Sequence, residues 1–188
     1  MSNIKYVSYI IISAALCSLI LAGLTNVNAA TDKYRSKLDG NNEIPPVATP
    51  AEATINYKTN SEGLFTYKMN ITGITEATGI HIHQGAPTEN GEVIVDLLKG
   101  SKHTDTPTGM LVRGNITDAD IQGPMQGQTL EDLKTAMASG NTYTNVHTAD
   151  HPDGMIRGQI KAKGADESPD ASIPTPDASI EADATDDE

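Results

Sequence analysis

Ala53-Thr54-Ile55-Asn56-Tyr57-Lys58-Thr59-Asn60-Ser61-Glu62-Gly63-Leu64-Phe65-Thr66-Tyr67-Lys68-Met69-Asn70-Ile71 is the stretch that decides the fold. Its first arm sets Ala53, Ile55 and Tyr57 against Thr54, Asn56 and Lys58. Its second arm sets Phe65, Tyr67, Met69 and Ile71 against Leu64, Thr66 and Lys68. Side chains alternate between faces along an extended chain, so both arms read as strands with one face buried and one face wet. The joint from Thr59 to Gly63 is polar and ends in glycine, as a hairpin connection requires.

The same texture extends outward. Runs at 34–38, 79–84, 92–98, 110–116, 143–147 and 155–160 are short, apolar or alternating, and divided by Gly, Pro, Asn and Asp, which makes about eight strands with the hairpin. One segment departs from it. Leu130, Leu133, Ala136 and Met137 fall on one helical face, with Thr129 as the N-cap and Gly140 beyond the end; a shorter turn starts near Thr117. Many short strands with one short helical crossover predict an all-β fold, an antiparallel Greek-key β-sandwich of immunoglobulin-like or Cu/Zn superoxide dismutase-like form.

Composition divides the 188 residues into three parts. Residues 1–30 combine a Lys5 start, an apolar run over 6–24 and the small residues Ala29 and Ala30, the pattern of a secretory signal peptide. The run is also long enough to serve as an uncleaved anchor, which would be the chain's sole link to a membrane. Residues 31–163 form the domain. Residues 164–188 repeat Pro-Asp-Ala-Ser-Ile at 169–173 and 176–180 and hold nine acids with no Lys or Arg, which predicts a disordered acidic tail. The formal charge of -12 resides largely there. No basic stripe exists to neutralise phosphates, so nucleic acid is excluded as a partner. Cys17 is the single cysteine and lies in the leader, which leaves the domain without an internal disulfide.

Three of the five histidines fall in two strand-like runs, Gly79-Ile80-His81-Ile82-His83-Gln84 and Tyr143-Thr144-Asn145-Val146-His147. His81 and His83 share a strand face by the period of two. With His147, and with His151 close behind it, they could hold copper or zinc, metals that imidazole suits. Both runs end at turns, so the expected location is one end of the sandwich, provided that the two strands finish on the same side. The competing reading makes these imidazoles hydrogen-bond donors to loop carbonyls. Glu43, Asp96 and Arg157 suggest a structural ion pair in which Arg157 joins one of the two carboxylates across strands. Asn70-Ile71-Thr72 and Asn115-Ile116-Thr117 match the glycosylation pattern at Asn70 and Asn115. No Gly-x-Ser-x-Gly elbow is present, and the thiol lies in the leader, so nucleophilic hydrolysis has no nucleophile in a recognisable setting.

Four motifs in order, Leu38-Asp39-Gly40-Asn41-Asn42-Glu43-Ile44-Pro45-Pro46-Val47, then 78–91 around His-Ile-His, then 143–148, then Gly154-Met155-Ile156-Arg157-Gly158-Gln159-Ile160, resemble the CHRD domain over residues 34–161. That family is named from chordin, an extracellular binder of bone morphogenetic proteins, and includes secreted microbial proteins. Asp153 and Met155 depart from its Gly-Gly-Glu-Ile-Arg-Gly pattern, and a role for His151 belongs to this chain alone. The resemblance implies a secreted or cell-surface binding or structural module, engaging an extracellular protein or surface ligand, and does not imply an enzyme. The alternative is a copper- or zinc-binding sandwich with redox activity of the superoxide dismutase type, because His-Ile-His is similar to that enzyme's copper-binding strand. Its cysteine pair and its dense His/Asp zinc loop are missing.

Overall fold

The alternating arms pair as expected. β2 (Glu52–Thr59) and β3 (Phe65–Thr72) run antiparallel with Ile55 opposite Met69 and Tyr57 opposite Tyr67, and these four side chains are buried. The computed structural model describes residues 33–163. The leader (1–30) and the acidic tail (164–188) lie outside those described residues.

Around the hairpin stand β1 (Lys33–Asp39), β4 (Gly79–Gln84), β5 (Val93–Asp96), β6 (Lys102–Thr106), β7 (Gly109–Ile116), β8 (Thr142–His147), β9 (Ile156–Gln159) and β10 (Lys161–Ala162). All join one antiparallel sheet in the order β5-β4-β8-β9-β1-β2-β3-β7-β6, with β10 added against β1. The sheet curls so that its two halves face each other. Tyr57 on β2 shares a 2.8 Å hydrogen bond with Thr144 on β8, and the Tyr67 hydroxyl on β3 donates to the Leu97 carbonyl just after β5. Ile80, Ile82, Ile94, Val146 and Ile156 from one half meet Ile55, Met69, Ile71 and Val112 from the other in a continuous core. The all-β, sandwich-like architecture is therefore reached by one sheet folded on itself.

Two strands exceed the eight that alternation shows. β6 reads Lys-His-Thr-Asp-Thr and is exposed almost throughout, with no buried face to give it a hydrophobic period. Its charges suit an edge, where they discourage pairing with other chains. The short β10 is likewise held by its partner and not by its own pattern.

The helix α1 (Leu130–Ala138) starts where predicted. The Thr129 hydroxyl accepts from the Asp132 amide, and the Asp132 carboxylate accepts from the Thr129 amide, forming a capping box. Gly140 follows with φ +74, a left-handed conformation that glycine adopts without Cβ strain. Leu133 and Met137 are buried, and the Tyr34 hydroxyl donates to the Lys134 carbonyl, so α1 caps the β1/β8 side of the core. Asn70 and Asn115, the glycosylation candidates, are exposed on β3 and β7.

Candidate metal centre

β4 and β8 are antiparallel neighbours with Gly79 opposite His147, His81 opposite Asn145 and His83 opposite Tyr143. Alternation sends Ile80, Ile82, Thr144 and Val146 into the core. It sends His81, His83, Tyr143, Asn145 and His147 to the other face. That face is not open to solvent, since every residue of β8 is buried. Loops 85–91 and 148–154 fold over it and supply backbone carbonyls to its side chains.

The histidines converge by a different route from the one expected. β4 and β8 do not finish on the same side, because they are antiparallel, and the histidines lie on a sheet face under two loops and not on the sandwich rim. Convergence arises diagonally: His81 sits two residues beyond Gly79, and Gly79 faces His147. Gly79 contributes no side chain, and the imidazoles fill the room this leaves. A Cβ at Gly79 would stand 2.7 Å from His81 Cε1 and 3.5 Å from His147 Cδ2.

The three rings are 4.8 to 5.7 Å apart between centroids. One ring nitrogen from each lies within 4.8 Å of the others. The Nδ1 of His83 meets the Gly91 carbonyl at 2.9 Å, and the Nδ1 of His147 meets the Pro152 carbonyl at 2.9 Å. A carbonyl only accepts, so both Nδ1 atoms carry the proton and both Nε2 atoms keep a lone pair. Those Nε2 atoms are buried without a hydrogen-bond partner among the described residues, as is Nδ1 of His81. Leaving buried acceptors unpaired is costly unless something else satisfies them. A backbone carbonyl behind the far nitrogen of each imidazole is the usual support of a metal-ligating histidine. The reading of these histidines as donors to loop carbonyls thus holds for Nδ1 of two of them, and it leaves their opposite nitrogens free to ligate.

Burial and neighbouring groups favour the neutral form of His83 and His81. Burial pulls the His83 pKa down to about 4; the Gly91 carbonyl opposes this, while His81, His147 and Arg157 reinforce it. His81 is also lowered, first by burial and then by His147, against a raising influence from Asp96. Neutral imidazole is the form that binds metals.

His151 is not brought in. Its amide donates to the Thr148 hydroxyl and its carbonyl accepts from Gly154, so its backbone closes the 148–154 loop, and its ring is absent from the converging set. The expected ion pair also takes a different form. Arg157, only 1 % exposed, donates to the Ala86 carbonyl at 2.9 Å, the Glu89 carbonyl at 2.7 Å and Asn90 Oδ1 at 3.0 Å. Its guanidinium lies over the Tyr143 ring at 3.5 Å, and Tyr143 in turn stacks on His83. Asp96 instead caps the turn after β5 by accepting from the Leu98 and Lys99 amides, and β4 and β8 stand between β5 and β9. Glu43 acts on Arg157 through the field only. A guanidinium satisfied by loop carbonyls cannot be foreseen by matching side-chain charges.

Tyr143 and Asn145 carry the site alongside the histidines, and the period of two through 143–147 already places them on the face of His147. Glu43 is 6 % exposed, its Oε1 has no hydrogen-bond partner among the described residues, and burial raises its pKa to about 7 against the lowering effects of Arg157 and Asn145. A raised carboxyl contributes stability that fades as pH climbs from about 4.5 to about 7. The lowered His83 acts oppositely, losing its contribution as pH falls from 6.5 through about 4. The two slopes offset each other across the shared interval. Glu43→Gln should therefore expose the histidine slope: its melting temperature should fall more steeply than that of the wild type on acidification from pH 7 to 4.5. Parallel curves for the two proteins would show that Glu43 is not held in this state.

Comparison with known proteins adds one match. The model of the CHRD domain family covers residues 34–160, from β1 through β9. No curated protein and no solved structure matches the chain.

Proposed function

The chain belongs to the CHRD-domain family, and from that premise we propose that it is an extracellular binding module whose ligand at the β4/β8 face is a first-row transition-metal ion, copper or zinc. The observation that carries this reading is the set of three buried, unpartnered imidazole nitrogens, two of them oriented by carbonyls behind the ring. Calcium and magnesium take oxygen ligands and do not fit an all-nitrogen set. Among divalent ions copper leads zinc in affinity for such donors. An ion bonded at about 2.0–2.1 Å needs the nitrogens roughly 3.4 Å apart. The nitrogens lie within 4.8 Å of one another, so binding would draw them closer. Elemental analysis of protein purified without a histidine tag, from medium containing copper and zinc, should find about one ion per chain; metal-free protein that also takes up none on titration would overturn the reading.

The leader supports export. Native material should begin at or near Ala30 or Thr31, as N-terminal sequencing or intact mass would read. A chain that retains residues 6–24 would instead be anchored at the cell surface.

A further inference from the structure

We propose that the ion held by His81, His83 and His147 keeps an exchangeable coordination position that takes a small anion, and that this position opens beside His81. The inference rests on the metal reading above. Zinc and copper(II) complete four or five donors, and sites with three protein ligands leave the remainder to an exogenous group. Among the described residues no fourth histidine, cysteine, aspartate or glutamate converges on the three nitrogens. Asp96 is engaged with the Leu98 and Lys99 amides, and His151 remains in its loop. The chain's only cysteine is in the leader.

Access is one-sided. His83 and His147 are 7 % and 9 % exposed, covered by the loops that bind their Nδ1 atoms, whereas His81 is more open. His81 faces the short edge strand β5, and the β4/β5 register breaks beside the site, where His83 pairs with Val93 and Ile94 is passed over. Such a bulge interrupts the edge and re-aims side chains next to it. Charge selects the class of the fourth ligand. Three neutral imidazoles leave a divalent ion uncompensated, and the Arg157 field already reaches His83. Together these favour an anion, such as hydroxide, azide or a small carboxylate, over a neutral donor.

The test uses cobalt(II), whose visible bands report coordination. Tag-free protein is loaded with cobalt, its spectrum is recorded, and sodium azide is titrated in. The expected result is a set of bands that His83→Ala loses, and that azide shifts saturably at one azide per cobalt while the metal stays on the protein. Bands that azide leaves unchanged would overturn the open position and keep the metal site, since a protein group must then fill the sphere. No cobalt bands, together with no copper or zinc uptake, would remove the site and this inference with it.

Discussion

Copper(II) titrated into the tag-free protein should saturate at one equivalent, and His83→Ala should weaken that binding by about 100-fold or more. Loss of a group that only supports a metal ligand costs about 10- to 100-fold, so loss of a ligand should meet or exceed the upper end of that range. His83 is the most informative choice because its free Nε2 is buried, its opposite nitrogen is held by the Gly91 carbonyl, and its ring is stacked on Tyr143 at 4.8 Å and 8°. Those contacts fix the ring before an ion arrives, so little rotamer freedom is lost on binding. Protons compete weakly as well. With a pKa of about 4, His83 needs no deprotonation at neutral pH.

Two further variants separate ligation from general damage. His147→Ala should resemble His83→Ala, because Nε2 of His147 is held free by the same device, Nδ1 against the Pro152 carbonyl. His103→Ala, exposed on the edge strand β6, should bind as the wild type does. Isothermal titration or chelator competition gives the affinities, and circular dichroism checks that each variant is folded. Equal affinity for His83→Ala and His103→Ala would remove the centre, as would folded variants of both ligands that bind normally.

The strands and the helix could be read from residue types because each has one buried face, and burial writes its period into the sequence. In 53–58 and 65–71 the alternation matches the observed faces residue by residue, and Thr129 caps α1 as its position suggested. β6 had no such signature, because an exposed edge strand buries nothing. At the site, the period of two correctly gave His81 and His83 one face. What it could not give was the relation between strands: whether β4 and β8 run together or opposed, and that Gly79 would lie across from His147. Convergence depended on that register. The roles of the 85–91 and 148–154 loops escaped detection for a related reason, since they act through carbonyl oxygens that every residue possesses.

Arg157→Met should lower the stability of the domain by about 3–5 kcal/mol, because loop 86–90 loses three charge-assisted hydrogen bonds. Three acceptors in loop 86–90, one on a half-buried residue and two on exposed ones, would lose a charged donor at once, and each hydrogen bond to a charged group contributes about 1.5–3 kcal/mol. The contact with Tyr143 adds a further cation–π contribution. Relief from burying the guanidinium offsets part of this, which keeps the total below the simple sum. For a domain of this size the melting temperature should fall by roughly 10–20 °C. Arg157→Lys should recover little, because one compact ammonium cannot span the two carbonyls and the Asn90 amide oxygen that the planar fork reaches together. The damage should also extend to the metal. Loop 86–90 leads directly into Gly91, whose carbonyl orients His83, and Tyr143 joins Arg157 to the same imidazole. Arg157→Lys, even where folded, should therefore bind copper more weakly than the wild type although it changes no ligand. Urea unfolding and copper titration of the same preparations read both effects. A stability loss under about 1 kcal/mol for Arg157→Met would show that the loop is held by other contacts; normal copper affinity in Arg157→Lys would show that His83 keeps its orientation without the guanidinium.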